Sequence, residues 1–183
     1  GYGEAAAAEY FLPTRWLGSN YVDAWNQVGY FPRYFANTIF MALATVAGVL
    51  ITSTLAAYAF ARMEFPGRDA LFIVLLATMM VPFEVTLVPN FILMRNLQWS
   101  DHYEALIIPW VASAFSIFLL RQFFRSIPQE LHDAAVMDGC TQLRFLASIV
   151  LPLSRPALIT SGLFTFLASW NSLMWPLLVT NRP

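Results

Sequence analysis

The sequence predicts an all-α, polytopic membrane protein, and two observations support this fold class: its composition and its four long apolar runs. Hydrophobic residues make up 58% of the 183 residues, and charged residues make up 11%. Soluble domains average about 45–50% apolar and about 25% charged residues. Most of the chain is therefore expected to lie in a bilayer, where a helix satisfies its own backbone hydrogen bonds.

The first two apolar runs are long enough to cross a bilayer, which takes about 20 residues. Residues 34–61 carry no charge, and they predict a span at about 36–60. The second run, 70–94, contains Glu84 between two prolines. Proline removes a backbone donor and clashes with the preceding turn, so a kinked or broken span is expected at 70–94.

The third and fourth apolar runs lie on either side of a polar segment. The third span is expected at 103–124, with Tyr103 anchoring one interface and Arg121 reaching the other. The fourth run is uncharged and is expected to span at 156–180. Four spans would place both ends of the given chain on one side of the membrane.

The arginines predict which side that is, because cytoplasmic loops are enriched in basic residues. The loops after the first and third spans contain Arg62, Arg68, Arg121, Arg125, Arg144 and Arg155, against Arg15, Arg33, Arg95 and Arg182 on the other face. This majority places the polar segment 126–155 in the cytoplasm.

Several function classes are excluded by what the sequence contains. The net charge of −1 and the scattered arginines give no basic patch for nucleic acid. Cys140 is the single cysteine, and His102 and His132 have no ligand-spaced neighbours, so no metal site is expected and both histidines are interpreted as solvated. The chain has no lysine and no glycine-rich phosphate loop, and no nucleophile–base pair, so it is not expected to be an enzyme.

The polar segment 126–155 predicts a helix, a glycine turn and a second helix. Pro128 suits the first turn of the first helix, and Gly139 offers a left-handed cap at its end. Thr141 begins the second helix, and Pro152 closes it before the last span. The small apolar face of the first helix suits a groove in another protein. The alternative is an ordinary loop between spans.

A family resemblance lies in residues 130–158, "ELHDAAVMDGCTQLRFLASIVLPLSRPAL". This stretch resembles the EAA loop of binding-protein-dependent ABC importer permeases, which has E-A-A, three residues, a glycine and then I-x-L-P. The matching residues are Asp133, Ala134, Ala135, Gly139, Ile149, Leu151 and Pro152. Asp133 replaces the glutamate of the family. From Asn37 onward the chain is similar to the maltose-type carbohydrate-uptake subfamily, for example in "FLLRQFFRSIP" and "FTFLASWNSLMWPLL".

The resemblance implies the fold of a type I ABC importer permease in the cytoplasmic (inner) membrane of a bacterium or archaeon. Such permeases have six spans, so one span is expected before Gly1 and one after Pro183. It also implies a second homologous permease, two ATP-binding subunits that bind ATP and Mg, and an extracytoplasmic solute-binding protein. No cofactor is expected in this chain itself, and the implied solute is a sugar or a glycerol phosphate.

In such permeases the helix before the glycine is the coupling helix, which docks on an ATP-binding subunit. The residues that the resemblance assigns to coupling are Asp133, Ala134, Ala135, Asp138, Gly139 and Pro152. Gly139 would allow a close chain reversal, and Asp133 could meet a cation or backbone donors of the partner.

A solute path is the second site that the sequence suggests. An ionisable residue within a membrane is by default a candidate for function, which singles out Glu84. Asn90 and Asn171 could bond a hydroxylated solute, and Trp170 could stack on a sugar ring. The alternatives are headgroup contact for Glu84, and interhelical hydrogen bonds with an aromatic belt for the other three.

Two other functions stay open at this level. One is an ion-coupled secondary transporter with Glu84 as the proton or cation site. The other is a membrane scaffold protein that transports nothing.

Overall fold

The computed structural model describes residues 18–27 and 29–181, and within these ranges it is helical without any strand. Arg15 and Arg182 lie outside the described residues. The helices are α1 (Ser19–Gln27), α2 (Phe31–Arg62), α3 (Arg68–Thr78), α4 (Phe83–Asn96), α5 (Tyr103–Ile107), α6 (Ala114–Ser126), α7 (Gln129–Met137), α8 (Gln142–Phe145), α9 (Leu151–Leu153), α10 (Arg155–Trp170) and α11 (Met174–Val179). A 3₁₀ turn follows α5 at Ile108–Trp110, and a π-helical turn joins α8 to α9 at Leu146–Val150. The all-α class is confirmed.

The chain divides into two compact units, residues 1–37 and 38–183. In the described part of the first unit, aromatic rings hold α1 against the start of α2. Trp25 contacts Phe31 and Phe35 edge-on, with centroid distances of 5.4 and 6.0 Å. These rings are of the type that lies at a membrane interface.

In the described residues, α2 is the one helix that is long and apolar enough to cross a membrane alone. Three bent pairs of helices raise the number of candidate spans to as many as four. The pairs are α3 with α4, bent by 96°, α5 and its 3₁₀ turn with α6, bent by 43°, and α8–α9 with α10, bent by 81°.

The second predicted span is broken, as its prolines predict. The break lies before Pro82, which is the N-cap of α4 and has an extended backbone. Pro89 lies inside α4 without ending it. One of the two prolines therefore separates two helices, while the other is accommodated within a helix.

The fourth apolar run differs from a single helix over 156–180. The helix α10 ends at Trp170, and Asn171 caps it by donating its side-chain amide to Leu167 O at 2.7 Å. After Ser172 and Leu173 the chain forms α11, which packs against α4 and α5. The capping bond is local, but the return of α11 depends on contacts far away in sequence.

Residues 38–181 contain two separate hydrophobic cores. The larger one joins α2, α6, α7 and the helices around the π turn, with Tyr58, Phe124, Phe145 and Val150 among its buried members. The smaller one joins α4, α5 and α11 through Met94, Ala105, Trp175 and Val179. The indole of Trp175 donates to Ala105 O at 2.9 Å, which ties α11 to α5. The polar segment 126–155 packs against the larger core through α7 and α8, so this core positions the candidate site.

Small residues allow the helices of the second unit to approach closely. Ser53 and Ser161 are fully buried on α2 and α10, and their hydroxyls have no hydrogen-bond partner among the described residues. Gly162 lies under Val46 and Leu50 of α2, where an added Cβ would be 3.6–3.7 Å from their side chains. Close packing through small side chains is typical of helix pairs in membranes.

Candidate coupling loop and solute path

The first helix of the polar segment, α7, begins after Pro128 and ends in a glycine turn. Pro128 is its N-cap, one position before the first turn. Gly139 has a φ of +71°, which confirms the predicted left-handed cap. Its N–H donates to Val136 O at 3.0 Å, and the Cys140 N–H donates to Ala135 O at 2.9 Å. This pair of bonds is a Schellman motif, which satisfies carbonyls that the helix end leaves without partners.

The second helix begins at Thr141, as its sequence predicts. Thr141 is the N-cap of α8, and its Oγ1 accepts a hydrogen bond from the Arg144 N–H at 3.4 Å. The helical path continues through the π turn and α9, which contains Pro152, and turns sharply at Ser154. The 81° bend there directs the chain into α10. Pro152 therefore lies two residues before the bend that separates the polar segment from α10.

One side of α7 packs on the larger core and the opposite side is exposed. Ala135 is buried against the core. Asp133, Ala134 and Asp138 are exposed, and Met137 has 89% of its surface accessible. At 100° per residue, Asp133 and Met137 lie opposite Ala135 on the helix. The exposed side presents the carboxylates of Glu130 and Asp133 beside small and apolar groups.

The prediction of a solvated histidine at position 132 is wrong. The side chain of His132 is 18% exposed, and its ring contacts the Phe145 ring edge-on at a centroid distance of 5.1 Å. Its Nδ1 lies 3.6 Å from Asp133 Oδ1. The ring is half-buried because α8 folds back over α7, which the spacing of the histidines could not reveal.

A polar network that the sequence did not predict ties α2 to this segment. Arg62, the last residue of α2, donates to Gln129 Oε1 at 2.9 Å, and Gln129 donates to Asp133 Oδ1 at 3.2 Å. Tyr58, one turn earlier, donates its hydroxyl to Gln142 Oε1. Positions 58 and 62 lie on one helix face, which is the signal in the sequence, but the sequence by itself assigns Arg62 only a role in topology.

The predicted solute-path residues lie on two parts of the chain. Glu84 is exposed in the first turn of α4, directly after the break, and Asn90 is half-buried one to two turns later. Trp170 ends α10 and stacks on Phe166 at 5.6 Å. Asn171 uses its amide as the cap of α10. The bond of Asn171 is local to α10 and supports neither a solute contact nor an interhelical hydrogen bond, while Glu84 is open to a ligand or to headgroups.

No group of three or more His, Cys, Asp or Glu residues in the described part of the chain could hold a metal ion.

Comparison with known proteins gives a family match over most of the chain. Residues 48–183 match the model of the family described as "Binding-protein-dependent transport system inner membrane component".

Individual relatives agree with that family. The chain is 34% identical over 169 residues to the arabinooligosaccharides transport system permease protein AraQ of Halalkalibacterium halodurans, covering 92% of this chain and 61% of the relative. It is 38% identical over 179 residues to the sn-glycerol-3-phosphate transport system permease protein UgpE of Escherichia coli K12, covering 95% of this chain and 64% of that relative. The chain therefore spans less than two thirds of the length of these curated relatives.

A solved structure shows the same fold. The chain superposes with a TM-score of 0.75 and 32% identity on a chain of a bacterial ABC transporter involved in the import of the acidic polysaccharide alginate. The match covers 80% of this chain and 52% of that chain.

Proposed function

Because the chain belongs to the family of binding-protein-dependent transport system inner membrane components, we propose that it is the permease subunit of an ATP-driven importer. In this proposal, α7 is the coupling helix, and segment 126–155 faces the cytoplasm. The single observation that carries the proposal is that α7 is packed on the core through Ala135 while Asp133, Ala134 and Met137 are exposed. A helix held in this way is suited to lie in a groove of another protein.

The family is one of transport components and not of enzymes. ATP hydrolysis is proposed to occur in two partner ATP-binding subunits, which would bind ATP and Mg. A second homologous permease and an extracytoplasmic solute-binding protein complete the proposed assembly. The names of the relatives, which refer to oligosaccharides and a glycerol phosphate, support a small hydrophilic solute of one of these two classes.

The local geometry explains how docking would be transmitted. The exposed Asp133 carboxylate can accept hydrogen bonds from a cation or a backbone N–H of the partner. Ala134 has a small side chain and allows close approach. Gly139 reverses the chain at once, so that α8 returns beside α7. The bend beyond Pro152 then joins the segment to α10.

The proposed solute path is lined by Glu84 and Asn90 of α4 and by Trp170 at the end of α10. The support for Glu84 is its exposed position in the first turn after the helix break. Non-helical backbone at membrane depth is tolerated where it lines a cavity or is buried in protein.

The test is co-purification of the tagged full-length permease from detergent-solubilised inner membranes. We expect an ATP-binding subunit to co-purify and to hydrolyse MgATP. The Asp133→Lys variant should lose this partner while still inserting, since it changes an exposed residue outside the apolar spans. Glu64→Lys, a charge reversal at an exposed residue of the α2–α3 turn, is the matched control and should retain the partner.

Two outcomes would contradict the proposal. If Asp133→Lys retains its ATP-binding subunit and normal hydrolysis, α7 is not the docking helix. If no ATP-binding subunit accompanies the wild-type protein and transport stops when the proton and sodium gradients are collapsed, the ion-coupled transporter replaces the importer.

A further inference from the structure

Arg62 joins three helices at one point. Its Nε and Nη2 donate to Phe124 O, at 3.1 and 2.8 Å, and Nη2 also donates to Ile127 O. Its Nη1 donates to Gln129 Oε1 at 2.9 Å. The guanidinium at the end of α2 therefore bonds the end of α6, the junction that follows it and the start of α7.

This position suits a guanidinium better than an ammonium or an uncharged side chain. The last four carbonyls of a helix have no partner within the helix, and they form the negative end of its dipole. Phe124 O is one of these carbonyls, because α6 ends at Ser126. Arginine presents several donors in a rigid planar fork, so that it can bond the α6 carbonyls and Gln129 together.

The junction between α6 and α7 is short and stiff. It consists of Ile127 and Pro128. Ile127 is buried in the larger core. Proline fixes its own φ and restricts the residue before it. This two-residue junction can absorb little movement. A displacement of α7 is therefore transmitted to α6.

The second branch of the network runs into α7 itself. The Gln129 side chain, which accepts from Arg62, donates through Nε2 to Asp133 Oδ1 one turn later, at 3.2 Å. Asp133 lies on the exposed side of α7 that the proposed docking uses. Two side-chain hydrogen bonds thus connect the docking surface with the end of α2.

A second contact from α2 reaches α8. Tyr58 lies one turn before Arg62 and donates its hydroxyl to Gln142 Oε1. Gln142 Nε2 lies 3.4 Å from His132 Nε2. The last turn of α2 is therefore bonded to α8 and, through Gln142 and His132, linked to the buried side of α7.

We infer that Arg62 is a positioning residue that makes α2, α6 and the coupling helix α7 move as one body. The inference rests on the proposed function of α7. With an aliphatic side chain at position 62, the Phe124 and Ile127 carbonyls and Gln129 lose their common donor, and α7 can then shift without carrying α2.

The test measures the distance between nitroxide labels at two exposed positions, Leu43 on α2 and Leu131 on α7. Cys140→Ser removes the native thiol. The complete complex is placed in lipid nanodiscs and studied without nucleotide and after trapping with MgATP and vanadate. We expect one narrow distance peak, unchanged by trapping, in the otherwise wild-type protein. In Arg62→Met the trapped state should lose this single peak and show a broad distribution, while MgATP hydrolysis continues.

Three further variants separate positioning from folding. Arg68→Met is the matched control, because Arg68 makes local contacts with Asp69 Oδ1 and Met63 O, at 3.1 and 3.3 Å, and the narrow peak should persist. Arg62→Lys should give an intermediate width, since one ammonium cannot reach α6 and Gln129 with the same geometry. Gln129→Met removes the hydrogen bonds from Arg62 to Gln129 and from Gln129 to Asp133, and it leaves the bonds of Arg62 to Phe124 O in place. If Arg62→Met does not assemble, Gln129→Met therefore tests whether these bonds hold α7 to α2.

The inference is overturned if Gln129→Met, and Arg62→Met where it assembles, keep the single narrow peak after trapping. A failure of the proposed function looks different, because the wild-type protein would then retain no ATP-binding subunit and hydrolyse no MgATP.

Discussion

Gly48 of α2 lies directly against Val111, at the break before α6. A Cβ added to Gly48 would be 2.7 Å from Val111 Cγ1 and 3.0 Å from Val111 Cβ. Thr52, one turn later on α2, donates its hydroxyl to Val111 O at the same break. The glycine therefore allows α2 to approach the non-helical backbone closely enough for Thr52 to satisfy one of its carbonyls.

We expect Gly48→Ala to lower the stability of the folded protein by about 1–3 kcal/mol, the range for overpacking a tight contact. Gly162→Ala is the control, because its added Cβ meets neighbours at ordinary distances, and it should be neutral or stabilising by up to about 1 kcal/mol. Thermal unfolding of the purified protein in detergent measures both. A double variant, Gly48→Ala with Val111→Ala, should recover part of the loss, because it removes Val111 Cγ1 but keeps the Val111 Cβ 3.0 Å away. Equal unfolding temperatures for the two single alanine variants would contradict the contact.

Gly139→Val should misplace α7, because a β-branched residue at a φ of +71° is strained by about 1–3 kcal/mol. Gly139→Asn should be tolerated, since asparagine adopts the left-handed conformation more readily. An added Cβ meets nothing within 4 Å at this position, so any effect comes from backbone strain. Co-purification of the ATP-binding subunit is the measurement. If valine retains the partner as well as asparagine does, the turn is not needed for docking.

The orientation of the chain is tested with single cysteines in a Cys140→Ser background. Leu143→Cys, on the proposed cytoplasmic segment, should react with a membrane-impermeant thiol reagent only after the membrane is opened. His102→Cys, before α5, should react in intact cells. Both native side chains are exposed, so accessibility depends on the side of the membrane. Labelling of Leu143→Cys from outside would reverse the topology and remove α7 from the cytoplasm.

Glu84→Gln distinguishes a solute-path residue from an ion-coupling site. The substitution keeps the shape and removes the charge, so a residue of the solute path should change solute affinity or selectivity while complex assembly and MgATP hydrolysis stay normal. Uptake kinetics together with ATP hydrolysis by the purified complex provide the measurement. Loss of transport with no dependence on ATP would favour the secondary transporter, and unchanged kinetics would remove Glu84 from the solute path.

The sequence alone determined the features that depend on neighbours along the chain. Its composition and apolar runs predict the all-α membrane class, the two prolines of the second run predict a kink or break within 70–94, and Gly139 and Thr141 predict the turn and the start of α8. These signals are local, because proline, glycine and capping residues act on the backbone within a few positions. The family resemblance is also carried by short stretches, and the family match over residues 48–183 confirms it.

Only the tertiary structure decided which distant residues meet. Arg62 looks like any arginine at the end of an apolar run, and its bonds to Phe124 and Gln129 span more than 60 positions. The same holds for the contact of Gly48 with Val111 and for the return of α11 to the smaller core through Trp175. The physical reason is that packing and side-chain hydrogen bonds require two surfaces to be brought together. Periodicity in one stretch specifies which face is apolar, but it does not specify the partner that this face will meet.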